Sequence, residues 1–119
     1  HYYQYDFDDY TVLFNGGSTN GMYISSDAYR KESETDGSDF YLIILEDNGN
    51  NMSYGSFFGG NISNEHVDGG TSRFDKQGIV YQSVCAGCGG NSDFPTTANA
   101  YSSVNNSSNC NNAVFKFII

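Results

Sequence analysis

Phe40-Tyr-Leu-Ile-Ile-Leu-Glu-Asp-Asn-Gly49 is the stretch of sequence that decides the fold. Its first six residues are aliphatic or aromatic, and turn residues follow directly, which is typical of a buried strand rather than a helix. Asn48-Gly49 can supply the positive φ angles of a tight hairpin, so residues 52 to 58 should return antiparallel. The stretch therefore predicts a β-hairpin.

Similar short runs occur on both sides of this hairpin, and Gly, Asn and Asp turns separate them. The runs are residues 9 to 14, 79 to 84 and 112 to 119. No segment shows the 3.6-residue period of a helix. We therefore expect an all-β, antiparallel fold, with long polar connections between some of the strands.

An internal repeat narrows the choice of architecture. Met22–Tyr29 is matched by Phe94–Tyr101, 72 residues later, and the same offset places Tyr41–Leu45 on Ala113–Phe117. Two sequence segments that both recur at the same offset indicate a duplicated structural unit. We expect antiparallel propeller-blade-like repeats, about one and two-thirds units in all, with a first partial unit at 1–50 and a second at 51–119 that together form one structural unit.

Composition and charge exclude several classes of partner. The chain of 119 residues has 14 Gly and 19 Tyr plus Phe, a composition that favours pleated sheets and tight turns. A net charge of -9 repels nucleic acid and anionic lipid, so neither is an expected partner. No run approaches the roughly 20 apolar residues of a membrane span, so we expect no membrane insertion. The start without Met and the apolar end suggest a processed piece of a longer protein.

Several segments resemble the SBBP-type β-propeller repeat of large secreted bacterial surface proteins. Asp75–Tyr81 is similar to its hairpin entry, Phe94-Pro-Thr-Thr97 with Ala100-Tyr101 to its loop, and Val114–Phe117 to its closing strand. In the first unit, Asp39–Leu45 with Phe57-Phe-Gly-Gly60 resembles the typical strand and exit. The resemblance covers roughly residues 10 to 119.

His66–Asp75 and Cys85–Gly90 resemble segments of multidomain adhesins of gliding and surface-attached bacteria. Such adhesins also carry PKD-type modules and a type IX secretion signal. The resemblance implies a secreted or cell-surface location. A closed propeller ring has about four to eight blades, more than this chain can supply.

Three cysteines offer either a disulfide or a metal site. Cys85-Ala-Gly-Cys88 has the spacing of zinc ligands, but a second such pair is absent, so His66 would have to be the fourth ligand. A disulfide fits better, because the end of one predicted strand should lie beside the start of the next and bring Cys110 near the pair. We favour Cys88 with Cys110, with Cys85 as the alternative partner.

No set of residues predicts catalysis. The acidic group Asp6, Asp8 and Asp9 is typical of a solvated turn, and no nucleophile elbow is present. Asp47 and Asp68 lie in pieces of calcium-loop sequence, but neither loop is complete. We therefore expect no enzyme activity and no cofactor, with calcium at Asp47 or Asp68 as the metal to test.

These observations predict a non-catalytic structural or adhesive module of a secreted or cell-surface protein. Its partners would be copies of itself, other domains of its parent protein or surface glycans. The alternative is a calcium- or carbohydrate-binding β module. Assembly should use apolar strand edges, at Val12, Phe14, Val114, Phe115 and Phe117.

Overall fold

The computed structural model describes residues 2–7, 10–18, 21–32, 39–46, 49–67 and 72–118. Seven strands and no helix occur among them, which confirms the predicted all-β class. The strands are β1 (Tyr2–Phe7), β2 (Tyr10–Ser18), β3 (Asp39–Glu46), β4 (Met52–Phe58), β5 (Ser72–Phe74), β6 (Ile79–Ala86) and β7 (Asn111–Ile118). In the described part of the chain, no helix could therefore cross a membrane.

The strands form two antiparallel sheets. The first has the order β1-β2-β3-β4 and the second the order β5-β6-β7. The division between the sheets falls between β4 and β5, later than the predicted boundary at residue 50, because β4 completes the first sheet. β1 was not predicted, and its pairing with β2 makes β2 an interior strand.

The β3–β4 hairpin forms where the sequence predicts it. Gly49 has a φ of 70°, and its amide donates to the carbonyl of Glu46 at 2.8 Å. The register pairs Tyr41 with Phe57, and it shifts between Ile44 and Leu45. The remaining turn residue of the prediction, Asn48, lies outside the described residues.

The duplicated sequence corresponds to a duplicated structure. In each sheet two strands form a pair, a long connection follows, and the next strand joins the second strand of that pair. β3 joins β2 in the first sheet, and β7 joins β6 in the second. Within the connections, the Ala28 amide donates to the Ser25 carbonyl at 3.2 Å, and the Ala100 amide donates to the Thr97 carbonyl at 3.0 Å. The same backbone turn thus recurs at the 72-residue offset.

The main core lies between the two sheets. Its buried members occupy alternate, inward-facing positions along three strands: Phe40, Leu42 and Ile44 from β3, Val80, Val84 and Ala86 from β6, and Phe117 from β7. Burial of each larger aliphatic or aromatic side chain contributes about 2 kcal/mol. The opposite face of β3 is also buried, because Tyr41 and Ile43 pack with Phe57 beneath Ile24 of the β2–β3 connection.

An aromatic cluster joins the two long connections to both sheets. Phe58 at the end of β4 contacts Tyr29 from one connection and Phe94 from the other, each with ring centroids 5.4 Å apart. It also contacts Phe115 of β7 at 4.6 Å. Both long connections therefore lie at the same end of the sandwich, and the tight turns after Glu46 and Asp75 lie at the other.

The two sheets differ in how their last strand is covered. In the first sheet, residues 21–32 run along the outer edge of β4, where the Ser25 amide donates to the Gly55 carbonyl and the Phe57 amide donates to the Arg30 carbonyl. β7 pairs with β6 on one side, and no other described strand pairs with its outer edge. The outer face of this sheet also exposes apolar side chains, with Val114 78% and Ile118 69% accessible.

Candidate functional site

A cluster of one histidine and three cysteines lies where β6 ends. The backbone of His66 forms an isolated antiparallel bridge with Cys85, with N–H···O distances of 3.0 and 2.9 Å. Gly87 and Gly89 take positive φ angles of 65° and 92°, so the chain turns sharply around Cys88. This turn brings Cys88 back towards the start of β7.

The cluster contains the predicted disulfide. Cys88 and Cys110 are joined at an S–S distance of 2.04 Å, across 22 residues of sequence. The β6–β7 register explains the disulfide pairing. It sets Ala86, two residues before Cys88, opposite Asn111, which directly follows Cys110. Cys85 remains a half-buried free thiol.

The four side chains are close enough to act together. One ligand atom from each of His66, Cys85, Cys88 and Cys110 lies within 4.8 Å of all the others. The Nδ1 atom of His66 is 3.9 Å from the Sγ atom of Cys88. Imidazole nitrogen and thiolate sulfur are the donors that zinc prefers, and a thiol beside a disulfide can also exchange with it.

A second cluster, of buried polar groups, lies behind the Gly59-Gly60 segment. Asp39, Ser63 and Glu65 are fully buried. The Ser63 hydroxyl donates to Oε1 of Glu65 at 2.7 Å, and the Gly60 amide donates to Oε2 at 3.2 Å. A Cβ atom added at Gly59 would lie 2.5 Å from Oδ1 of Asp39 and nearer still to Glu65, so only glycine fits there.

Arg30 places a positive charge in this buried cluster. Its Nη1 donates to the carbonyls of Gly59 and Gly60, both at 2.6 Å, and lies 3.6 Å from Oδ2 of Asp39. A buried carboxylate that lost such a partner would be strongly destabilising. Arg30 therefore fastens the β2–β3 connection to the exit of β4.

Burial raises the pKa of Glu65 above its usual range, although hydrogen bonds from Ser63, Asp39 and the amides of Gly60 and Gly87 act in the opposite direction. A hydrogen bond between the carboxyl groups of Asp39 and Glu65 requires a proton on one of them. These hydrogen bonds join the start of β3 to the segments that follow β4 and β6, so the cluster holds those segments to the sheets.

Asp93 ties the second long connection to the same region. Its Oδ2 accepts hydrogen bonds from the amides of Ile62 at 2.7 Å and Ser63 at 3.3 Å. Burial alone would raise the pKa of Asp93, but the hydrogen bonds that it accepts, foremost from Ser63 and then from Ile62, outweigh burial and lower the pKa. The phenol of Tyr41, on the other face of β3, is also shifted. Burial first, and then the nearby Tyr23, raise the pKa of Tyr41 to about 12.

A polar pocket of about 290 Å³ lies between the β6–β7 connection and the start of β7. Asparagine, serine and threonine side chains form much of its wall, among them Asn91, Thr96 and Asn112. Tyr101 stands at the wall with its ring fully exposed. Such a surface offers amide and hydroxyl groups beside an aromatic face.

The structure divides the predicted assembly residues into two groups. Val12 and Phe14 lie in β2, which is interior, so this part of the edge prediction is corrected. Val114, Phe115 and Phe117 lie in β7, the last strand of the second sheet. Val114 faces outwards, whereas Phe115 packs against the core and Phe117 is buried in it.

The predicted acidic sites are not assembled by the described residues. Asp47 and Asp68, the candidate calcium ligands, lie outside them, as do Asp8 and Asp9. Asp6 lies in β1. The sequence pattern placed Asp39 at the start of a strand and did not single out Arg30 or Glu65. His66 was weighed as a fourth metal ligand, but a disulfide was favoured.

No protein-family model matches this chain, and no curated protein or solved structure is significantly similar to it. The resemblance to the SBBP repeat accordingly stays a prediction.

Proposed function

We propose that this chain is a non-catalytic, propeller-blade-like structural module of a secreted or cell-surface protein. It assembles by docking a further β unit against its second sheet. The single observation that carries this proposal is the outer edge of β7, which no other described strand pairs.

Comparison of the two units supports this docking mode. β3 and β7 occupy equivalent positions, but β3 has β4 on its far side and β7 has no described strand there. An unpaired strand edge presents a row of N–H and C=O groups that an added strand can satisfy. A β unit with the same architecture is the occupant that fits, because the strand β4 already pairs with the equivalent edge of β3 in the first sheet.

The exposed outer face supports the same conclusion. Val114 and Ile118 are more than two-thirds accessible, and Tyr81 on the neighbouring strand is 40% exposed. Across β6 and β7 these side chains surround Lys116, which lies opposite Tyr81 and between Val114 and Ile118, so the apolar patch has one positive charge at its centre. The net charge of -9 opposes non-specific aggregation, so the contact should be specific.

A secreted location agrees with the Cys88–Cys110 disulfide, since disulfides persist in oxidising compartments. The partners that fit are copies of this chain and other domains of its parent protein. The absence of catalysis remains part of the proposal, and it is tested by assaying hydrolysis of glycans and peptides.

Light scattering on the isolated chain tests the assembly. We expect a mass above that of the 13.1 kDa monomer, falling on dilution. Val114→Lys should weaken the association, because it places a charge on the exposed patch of the edge strand. Val104→Lys is the matched control, since Val104 is also exposed but lies in the β6–β7 connection. A monomer stable to dilution, with a cooperative melt, would contradict the proposal.

A second candidate function is carbohydrate binding at the polar pocket. Aromatic rings stack on the apolar faces of sugars, and the exposed Tyr101 ring stands beside asparagine and threonine side chains. Titration with oligosaccharides should show binding that Tyr101→Ala abolishes and Tyr81→Ala preserves. Equal binding by both variants, or none by the unaltered chain, would exclude this pocket. The calcium alternative rests on Asp47 and Asp68, and thermal melts with added calcium test it.

A further inference from the structure

We propose that the reduced chain binds one zinc ion through His66, Cys85, Cys88 and Cys110, and that the Cys88–Cys110 disulfide is the oxidised, metal-free state of the same site. The four ligand atoms already lie within 4.8 Å of one another. Three thiolates and one imidazole form a complete Cys₃His set, which is typical of structural zinc sites.

Backbone hydrogen bonds hold the four ligands in place without the cross-link. His66 and Cys85 exchange a pair of backbone hydrogen bonds in the bridge between them. The β6–β7 ladder fixes Cys110, which directly precedes β7, beside the end of β6. The Cys88 amide donates to the carbonyl of Asn64 at 3.4 Å. Breaking the S–S bond therefore leaves the segments that carry the ligands together.

The distances suit a tetrahedral zinc ion. With Zn–S bonds of about 2.3 Å, two sulfur ligands stand roughly 3.8 Å apart. The 3.9 Å between Nδ1 of His66 and Sγ of Cys88 is already close to this distance between two ligand atoms. The main adjustment is that the Cys88 and Cys110 sulfur atoms separate from 2.04 Å once the disulfide is reduced.

The sequence around the cluster agrees with this ligand set. Cys85-Ala-Gly-Cys88 has the two-residue spacing that zinc sites use. Gly87 and Gly89 have φ angles of 65° and 92°, conformations that favour glycine, and they direct both cysteines to one side of the turn. All four ligand residues are half-buried, which shields a metal–thiolate bond from water while leaving a path for entry.

The two states are linked by a balanced reaction. A dithiol reductant transfers two electrons and two protons to the Cys88–Cys110 disulfide and itself becomes a disulfide. Zinc then binds the three thiolates and the neutral imidazole, releasing the protons that the thiols still carry. The resulting site has a net charge of one negative unit, from one Zn²⁺ and three thiolates.

The compartment would decide which state is present. Thiols stay reduced in the cytosol and are oxidised outside the cell. Zinc would thus hold the end of β6 and β7 before export, and the disulfide would hold it afterwards. The site goes beyond the proposed assembly function, because it does not involve the outer edge of β7.

Zinc binding to the full chain provides the first test. The chain is reduced with a phosphine, and zinc is titrated against a chromophoric chelator, with the oxidised chain in parallel. We expect one zinc per reduced chain and at least tenfold weaker binding by the oxidised chain, which retains only Cys85 and His66 as ligands. Cobalt in place of zinc should give the absorption of a tetrahedral ion with three thiolate ligands.

Variants identify the ligands. Cys85→Ser leaves the disulfide intact, so its fold can be verified by circular dichroism in the oxidised state before reduction. Cys85→Ser and His66→Gln should each lower zinc affinity about tenfold to a hundredfold and alter the cobalt spectrum. His1→Gln is the matched control, because His1 is the other histidine of the chain, and it should change neither measurement.

Three results would overturn the proposal. One is equal zinc affinity of the reduced and oxidised chains. Another is a Cys85→Ser variant, folded in the oxidised state, whose reduced form binds zinc as tightly as the unaltered chain. The third is a cobalt spectrum without thiolate charge-transfer bands, which would mean that the cysteines serve thiol–disulfide exchange alone.

Discussion

Replacing Phe58 with alanine should destabilise the protein more than any single loop substitution, because this ring joins four others. Its centroid lies 4.6 Å from that of Phe115, 5.4 Å from those of Tyr29 and Phe94, and 6.2 Å from that of Phe117. Those partners come from β7 and from both long connections. The Phe58→Ala variant thus loosens the contact between the sheets and the anchorage of both loops at once.

The expected loss follows from burial and ring contacts. A phenylalanine-to-alanine change in a core costs about 3–5 kcal/mol, and Phe58 is only half-buried, which favours the lower end. That range already includes ring contacts, each of which contributes about 0.5–1.5 kcal/mol beyond the area that it buries. We expect a loss of about 3 kcal/mol, a large share of the roughly 5–15 kcal/mol that stabilises a typical domain.

Urea unfolding measures this loss directly. The chain has ten tyrosines and no tryptophan, so tyrosine fluorescence and far-ultraviolet circular dichroism are the suitable probes. Tyr101→Ala is the control, since the Tyr101 ring is fully exposed, and it should change the free energy of unfolding by less than about 0.5 kcal/mol. A Phe58→Ala loss of under about 1 kcal/mol, with an unchanged m-value, would refute the view that this ring holds the sandwich together.

Three further predictions concern the polar cluster and the disulfide. Because the pKa of Glu65 is raised in the folded state, its contribution to stability is fully present below the ordinary glutamate pKa of 4.5 and is lost as the pH rises through the folded value. Glu65→Gln should therefore remove this pH-dependent loss of stability. Measured from pH 4 upwards, the free energy of unfolding of the variant should fall less than that of the unaltered chain. If the two plots of unfolding free energy against pH are parallel, Glu65 does not titrate as argued. Gly59→Ala should cost about 1–3 kcal/mol by thermal melting, because the added methyl group meets the buried carboxyls of Asp39 and Glu65, and an unchanged melt would mean that these groups can move aside. Cys110→Ser, compared with the oxidised chain in the absence of metal, should lower the free energy of unfolding by about 3 kcal/mol, because it removes a cross-link spanning 22 residues. Mass mapping without reductant should find the Cys88–Cys110 peptide pair. Three alkylatable thiols would contradict this pairing.

Strands whose signal is local could be predicted from the sequence. β3 is a dense apolar run followed by turn residues, and the glycine at position 49 fixes where β4 returns. β1 was missed because its acidic residues suggested a solvated turn. The alternation of Tyr3, Tyr5 and Phe7 was the signal that could have revealed it, and it would have shown that β2 is an interior strand.

The clusters depend on contacts that no local pattern encodes. His66 approaches Cys85 through an isolated bridge across 19 positions, so its place beside the cysteines could not be deduced from spacing. In the sequence, Asp39 is only the polar residue before an apolar run, but in the structure it is buried with Arg30 and Glu65 beside it. A buried carboxyl is recognisable only when its partners are known, and Asp39 and its two partners come from three separate segments.

The unequal ends of the sandwich have a consequence for how such a module can diverge. At one end, backbone hydrogen bonds close the turns after Glu46 and Asp75, and the positive φ angles of Gly49 and Gly78 favour glycine there. At the other end, residues 96–104 are all exposed, although Phe94 and Asp93 just before them are anchored. Mutations can accumulate in that exposed segment at almost no cost in stability, so descendants of one duplicated unit could acquire different recognition surfaces while keeping a single strand register.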